Sequence, residues 1–315
     1  MFEQAWLDEY GSSVDEIAAI IGGFEAIAHT DRKAVIPMRL SELITRLATD
    51  TGLEEERLRV CVEPFLFTPR ASWNDVPKGF EESSWHPWRF QRQLSIVSRP
   101  IIQLDTDEDP TCLIAPAMTY MHILKFVSDA RLGDFDQKFF RAGGSMFKWM
   151  GRINGSEGEE FNKSVASEFH RCGWKAKANL SDGQIFSRPK KQGFGDVDVL
   201  AWNQVQRRVL IVECKDLSFA KTMGEIAWQL SKYKGEIKPN GQPDLLRKHL
   251  NRCEEIEENR QALSMFVGFE VSTTDRILLM SHATPLQFAK FGEENSVAVV
   301  TFREIEPTFG SERNG

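Results

Sequence analysis

Nowhere in the 315-residue sequence do two cysteines stand as a C-x-x-C pair. The five cysteines, Cys61, Cys112, Cys172, Cys214 and Cys253, are odd in number and widely scattered. Neither a zinc site nor a disulfide framework is therefore indicated, and a reducing cytosol is the expected setting. The six histidines show no metal-ligand spacing. No apolar run approaches the roughly 18–20 residues of a membrane span, so no membrane partner is expected. The opening "MFEQAWLDEYGSS" is acidic and lacks an apolar h-region, so no secretory signal is expected and a cytoplasmic location is. There is no internal repeat and no low-complexity segment. What remains is a globular composition, long enough for two domains with separate cores.

The net charge of −7 is unevenly placed. All of the excess acid lies in residues 1–150, and residues 151–315 are neutral. Within the neutral half a basic strip gathers Lys163, Arg171, Lys175, Lys177, Arg188, Lys190 and Lys191 against two acids, Glu168 and Asp182. Such a strip is either a solvated face or a polyanion footprint.

Helical periodicity is read over 12–28, 40–52 and the start of 53–67, where Pro64 ends or kinks the helix. Residues 93–104 read as a strand broken at Pro100, and 111–133 as a short strand followed by a helix. Gly, Asn and Ser cluster in "GRINGSEGEE" (151–160), where the domain boundary is placed. Beyond it come a helix over 157–172, the strand "WKAKANL", a basic loop and an apolar hairpin. Helices over 219–235 and 243–263, a strand at 276–281, a short helix near Pro285 and a strand at 297–302 complete the pattern. The fold class is thus α/β: an α-rich accessory domain over 1–150, then a domain with a central mixed sheet flanked by helices over 151–315.

The hairpin "GDVDVLAWNQVQRRVLIVECKDL" carries acids inside its most apolar strands. Side chains alternate faces along a strand. Asp196 and Asp198 therefore share a face, as do Glu213 and Lys215, with Cys214 on the other. A turn centred on Gln204–Val205 sets Asp196 opposite Glu213 and Asp198 opposite Ile211. Carboxylates packed so closely repel one another. A hard divalent cation relieves that repulsion, and Mg²⁺ is characteristically held by one or two carboxylates, waters and a phosphate. The adjacent lysine supplies positive charge for an attacking water or a developing phosphorane.

The pattern D-x(14)-E-C-K formed by Asp198, Glu213 and Lys215 resembles the signature of the PD-(D/E)xK nucleases. Its context is similar to that of Mrr-type restriction endonucleases and Holliday-junction resolvase-like nucleases, over residues 151–305 only. "WQLSKYKGE" adds Gln229 and Tyr233 as Q-x(3)-Y, fourteen residues after Lys215, similar to a motif on the helix after the catalytic lysine. The resemblance implies that Asp198 and Glu213 bind Mg²⁺, with Mn²⁺ substituting and the Cys214 backbone carbonyl helping. It implies that Lys215 positions or activates water and that Gln229 orients the site or contacts nucleic acid, with Tyr233 packing or stacking beside it. Relatives carry a helix glutamate where this chain has Asn162; Glu159, on nearly the same helical face, is the substitute metal candidate.

The expected activity is metal-dependent endonucleolytic hydrolysis of DNA, in prokaryotic restriction, defence or repair. Arg188, Lys190 and Lys191, on the loop before Asp198, are expected to contact the DNA backbone; Lys248 and Arg252 are further phosphate candidates on a mixed-charge helix. The acidic first half is the candidate docking surface for a regulatory protein partner, and homo-oligomer formation stays open. Two alternatives also stay open: an RNA or branched-DNA nuclease of the same fold, and an inactive nucleic-acid-binding or assembly subunit.

Overall fold

The structure, a computed structural model, describes residues 1–70, 72, 80, 84–86, 88, 92–187, 195–217, 219–220, 222–291 and 296–310. The chain is mixed α/β and divides into two compact units, Met1–Asn154 and Gly155–Gly315. The division falls inside the glycine-containing segment 151–160, which is helical.

In the first unit, α1 (Phe2–Tyr10) precedes α2 (Val14–Asp31). The Ser13 hydroxyl accepts from the Glu16 N–H at 3.1 Å and the Glu16 carboxylate accepts from the Ser13 N–H at 2.7 Å. This reciprocal pair fixes where α2 starts. Next come β1 (Ile36–Arg39), α3 (Leu40–Thr51), α4 (Glu55–Val62), β2 (Leu66–Phe67), β3 (Ile101–Gln103), β4 (Thr111–Ile114) and α5 (Pro116–Leu132). The strands form a sheet in the order β1-β4-β3-β2, parallel only between β2 and β3. The strand expected over 93–104 survives only as β3, after Pro100. Before it, Ser95 and Ser98 fold the backbone into turns through their hydroxyls, the local competition typical of serine. The core is rich in aromatic rings, Trp6, Phe24, Phe65, Phe126 and Phe139 among them.

The helix α6 (Ser145–Arg171) starts in the first unit and ends in the second. The second unit continues with β5 (Lys175–Leu180), α7 (Asp182–Phe186), β6 (Val197–Asn203), β7 (Arg208–Lys215), α8 (Met223–Ser231), α9 (Leu245–Glu258), α10 (Arg260–Val267), β8 (Thr273–Met280), β9 (Ala298–Thr301) and α11 (Ile305–Phe309). Its sheet runs β5-β6-β7-β8-β9, antiparallel from β5 to β7 and parallel from β7 to β9. One face, through Val199, Ala201, Leu210 and Val212, packs on Val165 and Phe169 of α6 and Phe309 of α11. The other, through Leu200, Trp202, Val209 and Ile211, packs on Cys253 and Ile256 of α9 and Leu263 of α10. Burial on both faces explains why β7 reads as a continuous apolar run and not as an alternating one.

Two expectations are corrected. Val199 pairs with Val212 and Leu200 with Ile211, so the hairpin register is displaced by two residues. The turn comprises residues 204–207, closed by the Asn203 side chain accepting from the Gln206 N–H (3.1 Å) and by Arg207 at φ 51°. A two-residue displacement keeps every side chain on its expected face, but it brings Asp198 and not Asp196 level with Glu213. The helix expected over 243–263 is two helices, broken at Asn259, whose φ of −99° and ψ of 38° leave the helical region.

Candidate active site

Two adjacent strands and one helix build the site. Lys215 Nζ lies 2.7 Å from Glu213 Oε1 and 3.7 Å from Asp198 Oδ2. Asp198 Oδ2 also accepts the backbone N–H of Cys214 at 2.9 Å. The two strands thus hold this carboxylate in place, while the Cys214 side chain points into the core on the opposite face. Asp196 stands exposed just before β6.

The helix α9 completes the group. Its first residue is fixed by Asp244, which is 2% exposed. Asp244 Oδ1 accepts from the Arg247 N–H (2.7 Å), and Oδ2 accepts from the backbone N–H groups of Lys234, Gly235 and Glu236 (2.9, 2.9 and 3.1 Å). The face it aims at the sheet carries His249, Arg252 and Cys253, at helical spacing. Arg252 Nη1 donates to Glu213 Oε2 at 2.5 Å, and His249 Nδ1 lies 3.8 Å from the same oxygen. The "KHLNRCEEIEENR" segment reads in sequence as a solvated face, yet His249 is only 1% exposed. Arg252 and His249 are the site residues that sequence spacing missed in this role. The available signal was the apolar stripe Leu246, Leu250, Cys253 and Ile256, which puts its neighbours against the sheet.

Environment separates the two carboxyls. Burial and the repulsion of Glu213 push the Asp198 carboxyl up, against the pull of Lys215, the Cys214 N–H and Arg252. Burial raises Glu213 too, but Lys215 and Arg252 outweigh it and hold that carboxyl down at about 2. Burial works against the Lys215 ammonium, yet the two carboxylates dominate and raise it. His249 is lowered to about 4, chiefly by burial, and is neutral at neutral pH. Two carboxyls with divergent proton affinities beside a fixed cation form a site suited to binding an electrophilic metal or polarising a phosphate.

The remaining candidates are placed as follows. Gln229 is buried on α8. Tyr233, one turn later, is 2% exposed and packs on Leu246, Leu250 and Leu278. Its ring is enclosed by these side chains, and burial pushes its hydroxyl up to about 12. Glu159 is exposed on α6. Asn162 is buried, and its amide donates to Asn179 Oδ1 on β5 at 2.7 Å. Lys248 is exposed. Arg188, Lys190 and Lys191 lie outside the described residues.

Among the described residues, no three His, Cys, Asp or Glu side chains gather as a metal-holding group. The residues that would hold a cation are Asp198 and Glu213, with the Cys214 carbonyl. Two carboxylates completed by water and phosphate suit Mg²⁺ or Mn²⁺. Asp198 Oδ2 is the oxygen bound to Cys214, and no hydrogen bond to Oδ1 is present among the described residues, which fits this use. Among the described residues no helix is long and apolar enough to cross a membrane.

Compared with known proteins, residues 1–301 match the family model described as "Anti-phage protein Upx-like", a match that spans both units. No curated protein and no solved structure matches the chain. None of these comparisons yields a PD-(D/E)xK nuclease.

Proposed function

Because the chain belongs to the Upx-like family of anti-phage proteins, we propose that its second unit is the effector of that defence, a divalent-metal-dependent nuclease that hydrolyses DNA. The observation that carries this reading is the convergence of Asp198, Glu213 and Lys215 at adjacent positions of β6 and β7, with Lys215 Nζ between both carboxylates. Mg²⁺, when bound, supplies a Lewis acid and lowers the pKa of a bound water. Asp198 and Glu213 would hold it, helped by the Cys214 carbonyl. Lys215, held charged by both carboxylates, stabilises negative charge developing on the attacked phosphate. Gln229 orients groups from α8. Arg188, Lys190 and Lys191, which precede β6 in the sequence, would contact the DNA backbone without carrying sequence information. The first unit, with most of the acidic excess of the chain, is the regulatory or partner-docking part.

The test is incubation of purified protein with supercoiled plasmid, linear DNA and RNA, each with Mg²⁺, Mn²⁺ or EDTA. Metal-dependent DNA cleavage, abolished by Lys215→Ala with retained circular dichroism, is the expected result. Cleavage confined to RNA or to branched DNA would move the substrate class without changing the site. Nucleic-acid binding without cleavage under all metals would refute the enzyme and favour a binding subunit.

A further inference from the structure

Glu213 sits in an unusual position for a metal ligand, because both of its oxygens already face protein cations. Lys215 Nζ is 2.7 Å from Oε1 and Arg252 Nη1 is 2.5 Å from Oε2. Two carboxylates and two cations therefore balance with no metal present. The balance is built into the fold, since the Arg252 and Glu213 side chains are 10% and 11% exposed. The guanidinium also reaches the start of the Asp198 strand. A Cβ on Gly195, which stands at φ +77° just before β6, would lie 3.1 Å from Arg252 Nη2. Arg252 thus lies close both to the carboxylate and to the backbone that leads into the site.

We propose that Arg252 stands in for the metal and anchors the substrate phosphate. It occupies Glu213 Oε2 while the site is empty and transfers to a non-bridging oxygen of the phosphodiester when a divalent cation takes its place. This rests on the nuclease reading. Two cations competing for one poorly solvated carboxylate oxygen repel strongly. A phosphodiester relieves the repulsion by bringing its own negative charge, and a planar guanidinium matches a phosphate better than any other side chain. Metal alone meets a site already neutralised, and nucleic acid alone meets an arginine already paired. Each ligand therefore raises the affinity for the other, as linkage requires.

The experiment is calorimetric titration of Mn²⁺ into metal-free protein, with and without a phosphorothioate DNA oligonucleotide that resists cleavage. Wild type is expected to bind Mn²⁺ weakly alone and about tenfold or more tightly with the oligonucleotide. Arg252→Met is expected to bind Mn²⁺ alone about tenfold more tightly than wild type and to lose most of the oligonucleotide effect. Equal or weaker Mn²⁺ binding by folded Arg252→Met overturns the proposal. Arg252→Met leaves a buried carboxylate with one partner fewer, so Arg252→Lys accompanies it. That variant keeps a cation for Glu213 and lacks the fork for phosphate. It is expected to match wild type toward Mn²⁺ alone while losing the coupling; full retention of the coupling overturns the phosphate role. The underlying metal reading fails separately, and takes the proposal with it, if wild type binds no Mn²⁺ under either condition and Asp198→Asn changes nothing.

Discussion

Replacing Asp244 by alanine tests how the site helix is held. One carboxylate accepts four backbone N–H groups: Arg247 at the first turn of α9, and Lys234, Gly235 and Glu236 in the segment that leaves α8. Loss of a helix cap costs about 1 kcal/mol. Of the three remaining donors, Gly235 is buried while Lys234 and Glu236 are exposed and can turn to water. One buried N–H left without a partner costs roughly 2 kcal/mol, and the two exposed ones add little. Asp244→Ala should therefore destabilise the second unit by about 3 kcal/mol. For a unit of this size that is a drop of roughly 6–12 °C in Tm. Asp244→Asn should fall between, because its single amide oxygen still caps α9 but offers no second acceptor to the 234–236 segment. Urea unfolding followed by tryptophan fluorescence measures both. An alanine variant within about 1 kcal/mol of wild type, or an asparagine variant less stable than alanine, would refute the reasoning.

Three further outcomes are expected. His249 is lowered from 6.5 to about 4, so between those values the unfolded chain binds a proton that the folded chain does not. Stability of metal-free protein should be full above pH 6.5 and decline as pH falls toward 4, by up to about 3 kcal/mol. Urea titrations at pH 7 and pH 5 should show this slope in wild type and lose it in His249→Leu. Gly195→Ala forces a side chain into φ +77° with its Cβ 3.1 Å from Arg252 Nη2. It should cost about 1–2 kcal/mol in thermal denaturation and disturb the Arg252–Glu213 pair. Tyr233 has a buried hydroxyl without a hydrogen-bond partner among the described residues, so Tyr233→Phe should be neutral or slightly stabilising and should retain cleavage; a large loss of activity would show that the hydroxyl takes part in the site.

Local sequence determined much of this protein. Ser13 and Glu16 mark the start of α2, and the apolar runs around residues 197–203 and 208–215 are strands. The two-residue period of a strand put Asp198, Glu213 and Lys215 on one face, and that survived a displaced register because a slip of two residues preserves parity. The displacement itself was decided by the Asn203 cap and the left-handed Arg207. These are properties of the folded turn, and no periodicity records them. Packing decided more. Asn162 bonds to Asn179 while Glu159 stays in solvent, and Tyr233 is closed to solvent by residues of α9 and β8. Arg252 reaches Glu213 across 39 positions of sequence. A charged helix face reads the same in sequence whether water or a carboxylate lies opposite it. Only the seating of α9 on the sheet, through Cys253 and Ile256, determined that Arg252 faces a buried carboxylate. Burial then made that pair strong, because few waters remain to screen it.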